Sequence, residues 1–359
     1  LALAATPTDA APRIYAYGDG IPHPPAESAA LLAQLAPSIQ LDEYSRQGIV
    51  AELESRFAQL LHKEAAVFLP TGTLANHLAL RLLAAQNGGR RVLVPEQSHI
   101  FRDSGDCAQT LSSLNLIPLA PHRPSYTLEE AQAAFHDSQS AGRVPTPVAA
   151  LLVESPVRRQ SGAVFPFSEM QRLSAWAASQ RIGRHLDGAR LFLETPYTGH
   201  SLRDYTSLFD TVYVSLYKYF NAPAGAILAG PRALLADVPH LRRMFGASLY
   251  HAWPSAALAL HYANGFSERF ARAAATGRQV LDALERESHF TIDRVPSGTN
   301  IFRLKPLGAN PSAFHGRLEQ TGISARLPAA GDTFTIQVNE TWLRASPEEI
   351  TARFRRGIS

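Results

Sequence analysis

Between about residue 65 and residue 230 the chain alternates apolar runs of strand length with stretches of helix length. That alternation limits the fold more than any other feature. Strands are expected at 65–69, 91–95, 115–119 and 148–153, in a run ending at Asp187, at 211–216, and in a stretch closing at Gly230. Helices are expected among them at 74–85, around 103–111, at 128–135 and at 167–181. Short apolar runs joined by crossovers long enough for a helix belong to a mainly parallel α/β sheet flanked by helices. Open sheets of that kind gather ligands beyond the carboxyl ends of their strands, so the chemistry is to be sought where these runs stop.

The flanks read differently. Residues 15–25, Tyr-Ala-Tyr-Gly-Asp-Gly-Ile-Pro-His-Pro-Pro, hold too much Gly and Pro for a helix and predict an extended arm, followed by a short helix at 27–36. Ile49, Leu53, Phe57, Leu60 and Leu61 make one helical face. An Ala-rich helical region at 252–287 precedes strands at 301–304 and 334–338 with a helix at 311–320 between them, an α+β pattern. The expected division is an N-terminal arm and short helix at 1–39, a large domain at 40–250 and a small α+β domain at 251–359.

Composition removes several classes of function. A formal charge of +3 with arginines scattered along the chain argues against a nucleic-acid partner. Cys107 is the one cysteine, which leaves neither an internal disulfide nor a thiolate zinc site, and no metal ligand set is expected. No apolar run approaches the roughly 20 residues of a membrane span. The opening Leu-Ala-Leu-Ala-Ala-Thr-Pro, with its small residues Ala2 and Ala4, fits an export signal's tail and an Ala-rich chain end equally well, so both a periplasmic and a cytoplasmic location stay open.

The strand ends carry the chemistry. One run delivers Asp187 in Arg184-His185-Leu186-Asp187-Gly188-Ala189-Arg190, and the next delivers Lys218 between Tyr217 and Tyr219. A single helical crossover between those strands would bring carboxylate and amine to one edge. Such a pair suits pyridoxal phosphate, which needs an amine for its aldehyde and an anion for its ring nitrogen. Gly72 and Thr73, at the start of a helix, offer backbone N–H groups and a hydroxyl to a phosphate, although Thr and Gly also begin helices merely as caps.

In that order the residues resemble the threonine aldolase and β-eliminating lyase group of fold-type I pyridoxal phosphate enzymes. The pieces that carry the resemblance are Asp42-Glu43-Tyr44 with Leu53-Glu54, Leu69-Pro70-Thr71-Gly72-Thr73 with Asn76, Gln97-Ser98-His99-Ile100, His185-Leu186-Asp187-Gly188-Ala189-Arg190-Leu191, and Lys218 with Ala222-Pro223 and Gly225. The resemblance implies that Lys218 holds the cofactor's aldehyde and shuttles protons. Asp187 pairs with the ring nitrogen, and His99 stacks on the ring and takes part in proton transfer. Gly72, Thr73 and Ser215 are implied as phosphate ligands. Arg190 is implied to hold the substrate carboxylate and the cofactor's phenolic oxygen, and Tyr44 to reach a neighbouring subunit's site in a homodimer or homotetramer.

Some positions depart from the family pattern. Gly18 stands where a carboxylate-binding serine is usual, Val157 where a histidine would meet the substrate hydroxyl, and Gln337 lies in the stretch where a late arginine is usual. Tyr217 and Tyr219 replace the usual serine and glycine around the lysine. Arg158 and Arg159 offer a replacement anion site for the substrate. The cofactor residues thus persist while several substrate residues have changed, and since each lost charge-assisted contact costs about 2 kcal/mol, several losses together are hard to reconcile with efficient threonine cleavage. The expected activity is lyase chemistry on a small α-amino acid, with aldol cleavage of a β-hydroxy amino acid to glycine and an aldehyde first. β-Elimination from an aromatic or other β-substituted amino acid, and a cofactor-binding homologue without aldolase activity, are the alternatives. A nucleotide-dependent oxidoreductase is set aside because the chain has neither a Gly-rich dinucleotide loop nor a phosphate-loop lysine motif.

Overall fold

In the computed structural model, residues 12–140 and 142–358 are described, so the signal-like start around Ala2 and Ala4 lies outside the described residues. Seven strands make the large sheet: β1 (Ala65–Leu69), β2 (Arg91–Pro95), β3 (Asn115–Leu119), β4 (Val148–Glu154), β5 (Gly183–Asp187), β6 (Thr211–Ser215) and β7 (Ala226–Gly230). Their spatial order is β1-β7-β6-β5-β4-β2-β3. β2 to β6 pair in parallel, whereas β7 is antiparallel to both its neighbours, β6 and β1. The reversal follows from the connection at 216–225, which holds no helix and therefore cannot make a crossover back to a parallel start. Two reversals cancel, so β1 runs in the direction of β2 to β6. Six strands thus deliver their carboxyl ends to one edge.

Helices α1 (Gly48–Leu60), α2 (Gly72–Gln86), α3 (Leu128–Ser140) and α4 (Phe167–Ser179) accompany the sheet. α2 runs across β4, β5, β6 and β7 and buries Leu78, Leu80 and Leu83. Each buried leucine contributes roughly 2 kcal/mol. The approach is close at Gly183, where a Cβ would lie 2.9 Å from the Leu83 side chain.

Two helical expectations break where the backbone turns left-handed. The helix expected around 103–111 is two short ones, His99–Arg102 and Cys107–Ser112, interrupted by Gly105 at φ 60° and Asp106 at φ 53°. The region at 252–287 is split into Trp253–Ala263 and Phe266–Glu285 by Gly265 at φ 64°. A single glycine, Gly105 or Gly265, is the sequence sign at each break.

Two units separate by their internal packing. Among the described residues, the larger holds His23–Phe266 with Pro296–Thr299, and the smaller holds 12–22, Ser267–Val295 and 300–358. The dividing point in this partition is Phe266 where residue 250 was expected, and residues 12–22 of the arm group with the C-terminal residues. In the smaller unit, Ile301–Pro306 pairs antiparallel with Phe334–Gln337 on one side and Phe290–Arg294 on the other, and Ile14–Tyr15 pairs in parallel with Ile323–Ser324. Its core includes Phe302, Leu304, Trp342 and Phe354. No helix among the described residues is long and apolar enough to cross a membrane.

Candidate active site

Strand register sets the first layer of the site. Glu154 on β4, Asp187 on β5 and Tyr213 on β6 are direct partners across three parallel strands, so their side chains form one row on one face. All three are buried. α2 covers that face, and its N-terminus follows β1 to the same edge.

At that N-terminus Thr71 is the cap, its hydroxyl accepting from the Leu74 N–H at 3.2 Å. Gly72 and Thr73 occupy the first two helical positions, where N–H groups have no partner within the helix. A Cβ built on Gly72 would lie 1.8 Å from the Tyr213 hydroxyl, so no side chain fits here while the phenol stays in place. Ser215, at the end of β6, buries its hydroxyl with no hydrogen-bond partner of good geometry, close to the same phenol. A helix start, a buried hydroxyl and a phenol thus meet at one strand end, the kind of donors that an anion takes. Burial, reinforced by the Asp187 charge, pushes the Tyr213 phenol well above its ordinary range, so it acts as a neutral O–H.

Asp187 accepts the Asn76 Nδ2–H at 2.5 Å and the Ala189 N–H at 3.1 Å. Behind Asn76, its Oδ1 lies 2.8 Å from His185 Nε2, and His185 Nδ1 lies 2.8 Å from the Thr211 hydroxyl. Lys218 Nζ sits 5.9 Å from the Tyr213 ring centre and 5.1 Å from that of Tyr217. Lys218 thus lies beside the ring of Tyr213, the register partner of Asp187.

Glu154 was not anticipated as a site residue. Its carboxyl accepts the His99 N–H at 2.6 Å and the Arg158 N–H at 3.1 Å, which ties the 96–99 turn to the 155–158 turn. Burial, and then the neighbouring Asp187 charge, push it up to about 8, against the pull of the two N–H donors and of Arg190. A carboxylate at a strand end is the signal that was available in the sequence. Tyr213, Asn76, His185 and Thr211 were missed as well, because nothing in a strand or helix pattern says which polar residue turns toward a neighbour.

The remaining expected residues stand further out. His99 and Arg190 are half-buried, with Arg190 near enough to Glu154 to act on its charge. Arg158 is exposed and lies 3.7 Å from Asp103, and Arg159 lies 2.9 Å from the same carboxylate, so the two arginines already share an anion. Val157 is fully buried, bridged to Ala163. Tyr44 is exposed in a left-handed turn at φ 51°, with Arg243 5.2 Å over its ring and Tyr250 edge-on at 5.3 Å. In the smaller unit the two departures Gly18 and Gln337 meet, the Gly18 N–H donating to the Gln337 side-chain oxygen.

Comparison with known proteins agrees with this architecture. A low-specificity L-threonine aldolase of Candida albicans is 29% identical over 61% of this chain, and the match spans 58% of that protein's length. A solved structure assigned to an L-allo-threonine aldolase of Listeria monocytogenes EGD-E superposes with a TM-score of 0.81 at 24% identity, covering 97% of this chain and 96% of the other. One assigned to an aromatic amino acid β-eliminating lyase/threonine aldolase of Exiguobacterium sp. 255-15 gives a TM-score of 0.79 at 26% identity, covering 96% of each chain. The fold is fold-type I, that of pyridoxal phosphate enzymes. The beta-eliminating lyase family matches residues 28–305, which take in the whole strand-end row, Gly72, His99 and Lys218; the chain belongs to that family.

Proposed function

We propose that this chain is a pyridoxal phosphate-dependent lyase that cleaves a β-hydroxy α-amino acid into glycine and an aldehyde. The observation that carries it is the buried row of Glu154, Asp187 and Tyr213, with Gly72, Ser215 and Lys218 around the same phenol. The residues fit the cofactor: an anion for its ring nitrogen, an amine for its aldehyde, and a glycine helix start with an unsatisfied hydroxyl for its phosphate. When bound, pyridoxal phosphate supplies a sink for the electrons released as a bond to the substrate Cα breaks.

This chain's own residues do the rest. Lys218 holds the aldehyde and moves protons at Nζ. Asp187, an acceptor fixed by two N–H donors, keeps the ring nitrogen protonated. His99 takes the proton of the substrate hydroxyl, with its turn anchored by Glu154. Arg190 receives the substrate carboxylate in its planar fork. Leu41, Tyr44, Met244, Leu249 and Tyr250 are exposed large apolar residues, and a second copy covering them would give the dimer or tetramer to which Tyr44 contributes.

β-Elimination from an aromatic or other β-substituted amino acid is the second reading. It is favoured by the burial of Val157 and by the use of Gln337 on Gly18, since both positions would otherwise serve a threonine-like substrate. The deciding experiment incubates the cofactor-loaded protein with a panel of β-hydroxy and β-substituted amino acids. Glycine with aldehyde is the expected product; ammonia with a keto acid would replace aldol cleavage by elimination. Cofactor binding with no turnover anywhere in the panel would leave a homologue without the activity.

A further inference from the structure

We propose that Asn76, His185 and Thr211 form a positioning relay that holds Asp187 as an oriented anion for the cofactor's ring nitrogen. The inference rests on the role assigned to Asp187 above.

The relay joins three elements. Asn76 comes from the second turn of α2, His185 lies two residues before Asp187 on the same face of β5, and Thr211 is the register partner of His185 on β6. None of the four residues is more than 2% exposed, so bulk solvent does not reach them. The valence of each group then fixes the direction of every bond. An ionised Asp187 only accepts, so the Asn76 amide must present Nδ2–H to it and leave Oδ1 facing His185. Oδ1 only accepts, so His185 Nε2, 2.8 Å away, must carry the proton. Burial pushes this imidazole down to about 4, which keeps it neutral, so Nδ1 is a lone pair and the Thr211 hydroxyl donates to it at 2.8 Å. Thr211, His185 and Asn76 therefore donate in sequence toward Asp187.

Flipping Asn76 would set its oxygen against a carboxylate, and moving the histidine proton to Nδ1 would force that flip. The chain thus has one self-consistent arrangement, and bonds aligned in this way strengthen one another in a dry interior. The Ala189 N–H fixes the second carboxylate oxygen, so Asp187 cannot rotate without losing a bond on either side. Loss of the Asn76 N–H would leave the buried carboxylate with one donor fewer to fix its orientation and so weaken its hold on a ring nitrogen.

The test is cofactor affinity, measured by titrating cofactor-free protein with pyridoxal phosphate and with a carbocyclic analogue that has C–H in place of the ring nitrogen. Asn76→Ala is expected to weaken pyridoxal phosphate binding about tenfold and Thr211→Val about threefold to fivefold, from the net value of a buried hydrogen bond. Thr211→Ser, which keeps the hydroxyl, should bind as the parent does. With the analogue, all three variants should match the parent, because the relay acts only through the ring nitrogen. Equal losses for both ligands would mean a merely structural role and overturn the proposal. Unchanged affinity in Thr211→Val and Asn76→Ala, beside a loss in Asp187→Asn, would overturn the relay and leave the Asp187 assignment standing. An Asp187→Asn protein that binds pyridoxal phosphate as tightly as the parent would remove that assignment and the relay with it. Should Asn76→Ala fail to fold, the near-isosteric Thr211→Val decides alone.

Discussion

The floor of the site and its rim are built by different means. On the floor, formed by β5, β6 and the start of α2, polar side chains are buried and meet other side chains in fixed directions, as in the Asn76–Asp187 and His185–Thr211 contacts. On the rim, the turns at 96–103 and 155–160 combine the buried Glu154 carboxyl, which accepts the His99 and Arg158 N–H groups, with ion pairs whose arginines reach solvent: Arg158 and Arg159 on Asp103, and Arg102 on the buried Glu96. A buried hydrogen-bonded network loses stability when any member is altered, whereas an exposed ion pair contributes about 0 to 1 kcal/mol. The floor should therefore tolerate substitution less than the exposed arginines of the rim do. Of the residues in the 155–160 turn, Arg158 and Arg159 are exposed, whereas Val157, a departure from the family pattern, is buried.

The largest effect that sharpens this contrast is expected at the lysine. Lys218→Ala should abolish both the visible absorption of the bound cofactor and turnover, with the circular dichroism spectrum unchanged. Activity retained in that variant would take the chemistry away from the floor. Next in size is Gly72→Ala, since the added methyl would lie 1.8 Å from the Tyr213 hydroxyl and 2.3 Å from its ring carbon. Overpacking of this kind costs about 1 to 3 kcal/mol, and displacement of the phenol should lower cofactor affinity by roughly tenfold or more. Normal affinity and melting temperature in Gly72→Ala would show that the phenol is free to move and that the floor is less rigid than its packing indicates.

How much of this was legible in the sequence follows the same division. The strands at 65–69, 91–95 and 115–119 were readable because apolar runs bounded by Pro, Gly and polar residues have few other solutions. That the strand ending at Asp187 and the strand before Lys218 finish at one edge was readable because a parallel crossover leaves little choice. The antiparallel β7 was hidden, since its residues alternate no differently from those of its neighbours. So were the strand Phe290–Arg294, whose face is mostly exposed, and the helical breaks at Asp106 and Gly265, for which a single glycine is a weak sign. The roles of Asn76, His185 and Thr211 could not be read either. Their side chains gain meaning only from three-dimensional partners, which no spacing encodes.

Floor and rim are joined through Glu194, and pH should expose the joint. Glu194 lies in the helix Leu191–Thr198 after β5, and its Oε2 accepts the Ser155 hydroxyl at 2.7 Å while Oε1 lacks a hydrogen bond of good geometry. Burial pushes it up to about 7 from an ordinary 4.5, and Glu154 is pushed to about 8. Both stay protonated in the folded chain at pH values where the unfolded chain has already ionised them. The unfolded state thus binds fewer protons, and stability should fall as pH rises from about 4.5 toward 8. Glu194→Gln, which keeps an acceptor for Ser155, should flatten the lower part of that slope and gain on the order of 3 kcal/mol at pH 8 over the parent. Denaturant midpoints across the pH range measure this, and an unchanged slope would mean that Glu194 is hydrated in the folded protein.

The smallest effect is expected on the rim, where it tests the contrast most directly. Arg158→Ala removes an exposed guanidinium whose partner Asp103 keeps Arg159 at 2.9 Å, so stability should change by less than about 0.5 kcal/mol. Its backbone N–H still donates to Glu154, which leaves the turn in place. If Arg158 serves the substrate only as one of two arginines already sharing an anion, KM should rise no more than about threefold with kcat unaltered, the mark of a modest uniform binding contact. Asp103→Ala should act in the opposite direction, freeing both guanidinium groups and lowering KM for substrates that carry a second carboxylate. A loss in kcat/KM beyond roughly tenfold in Arg158→Ala would correspond to a buried, charge-assisted contact made in the transition state. The rim would then be as tightly constrained as the floor, and substrate choice would be fixed by Arg158 rather than left adjustable.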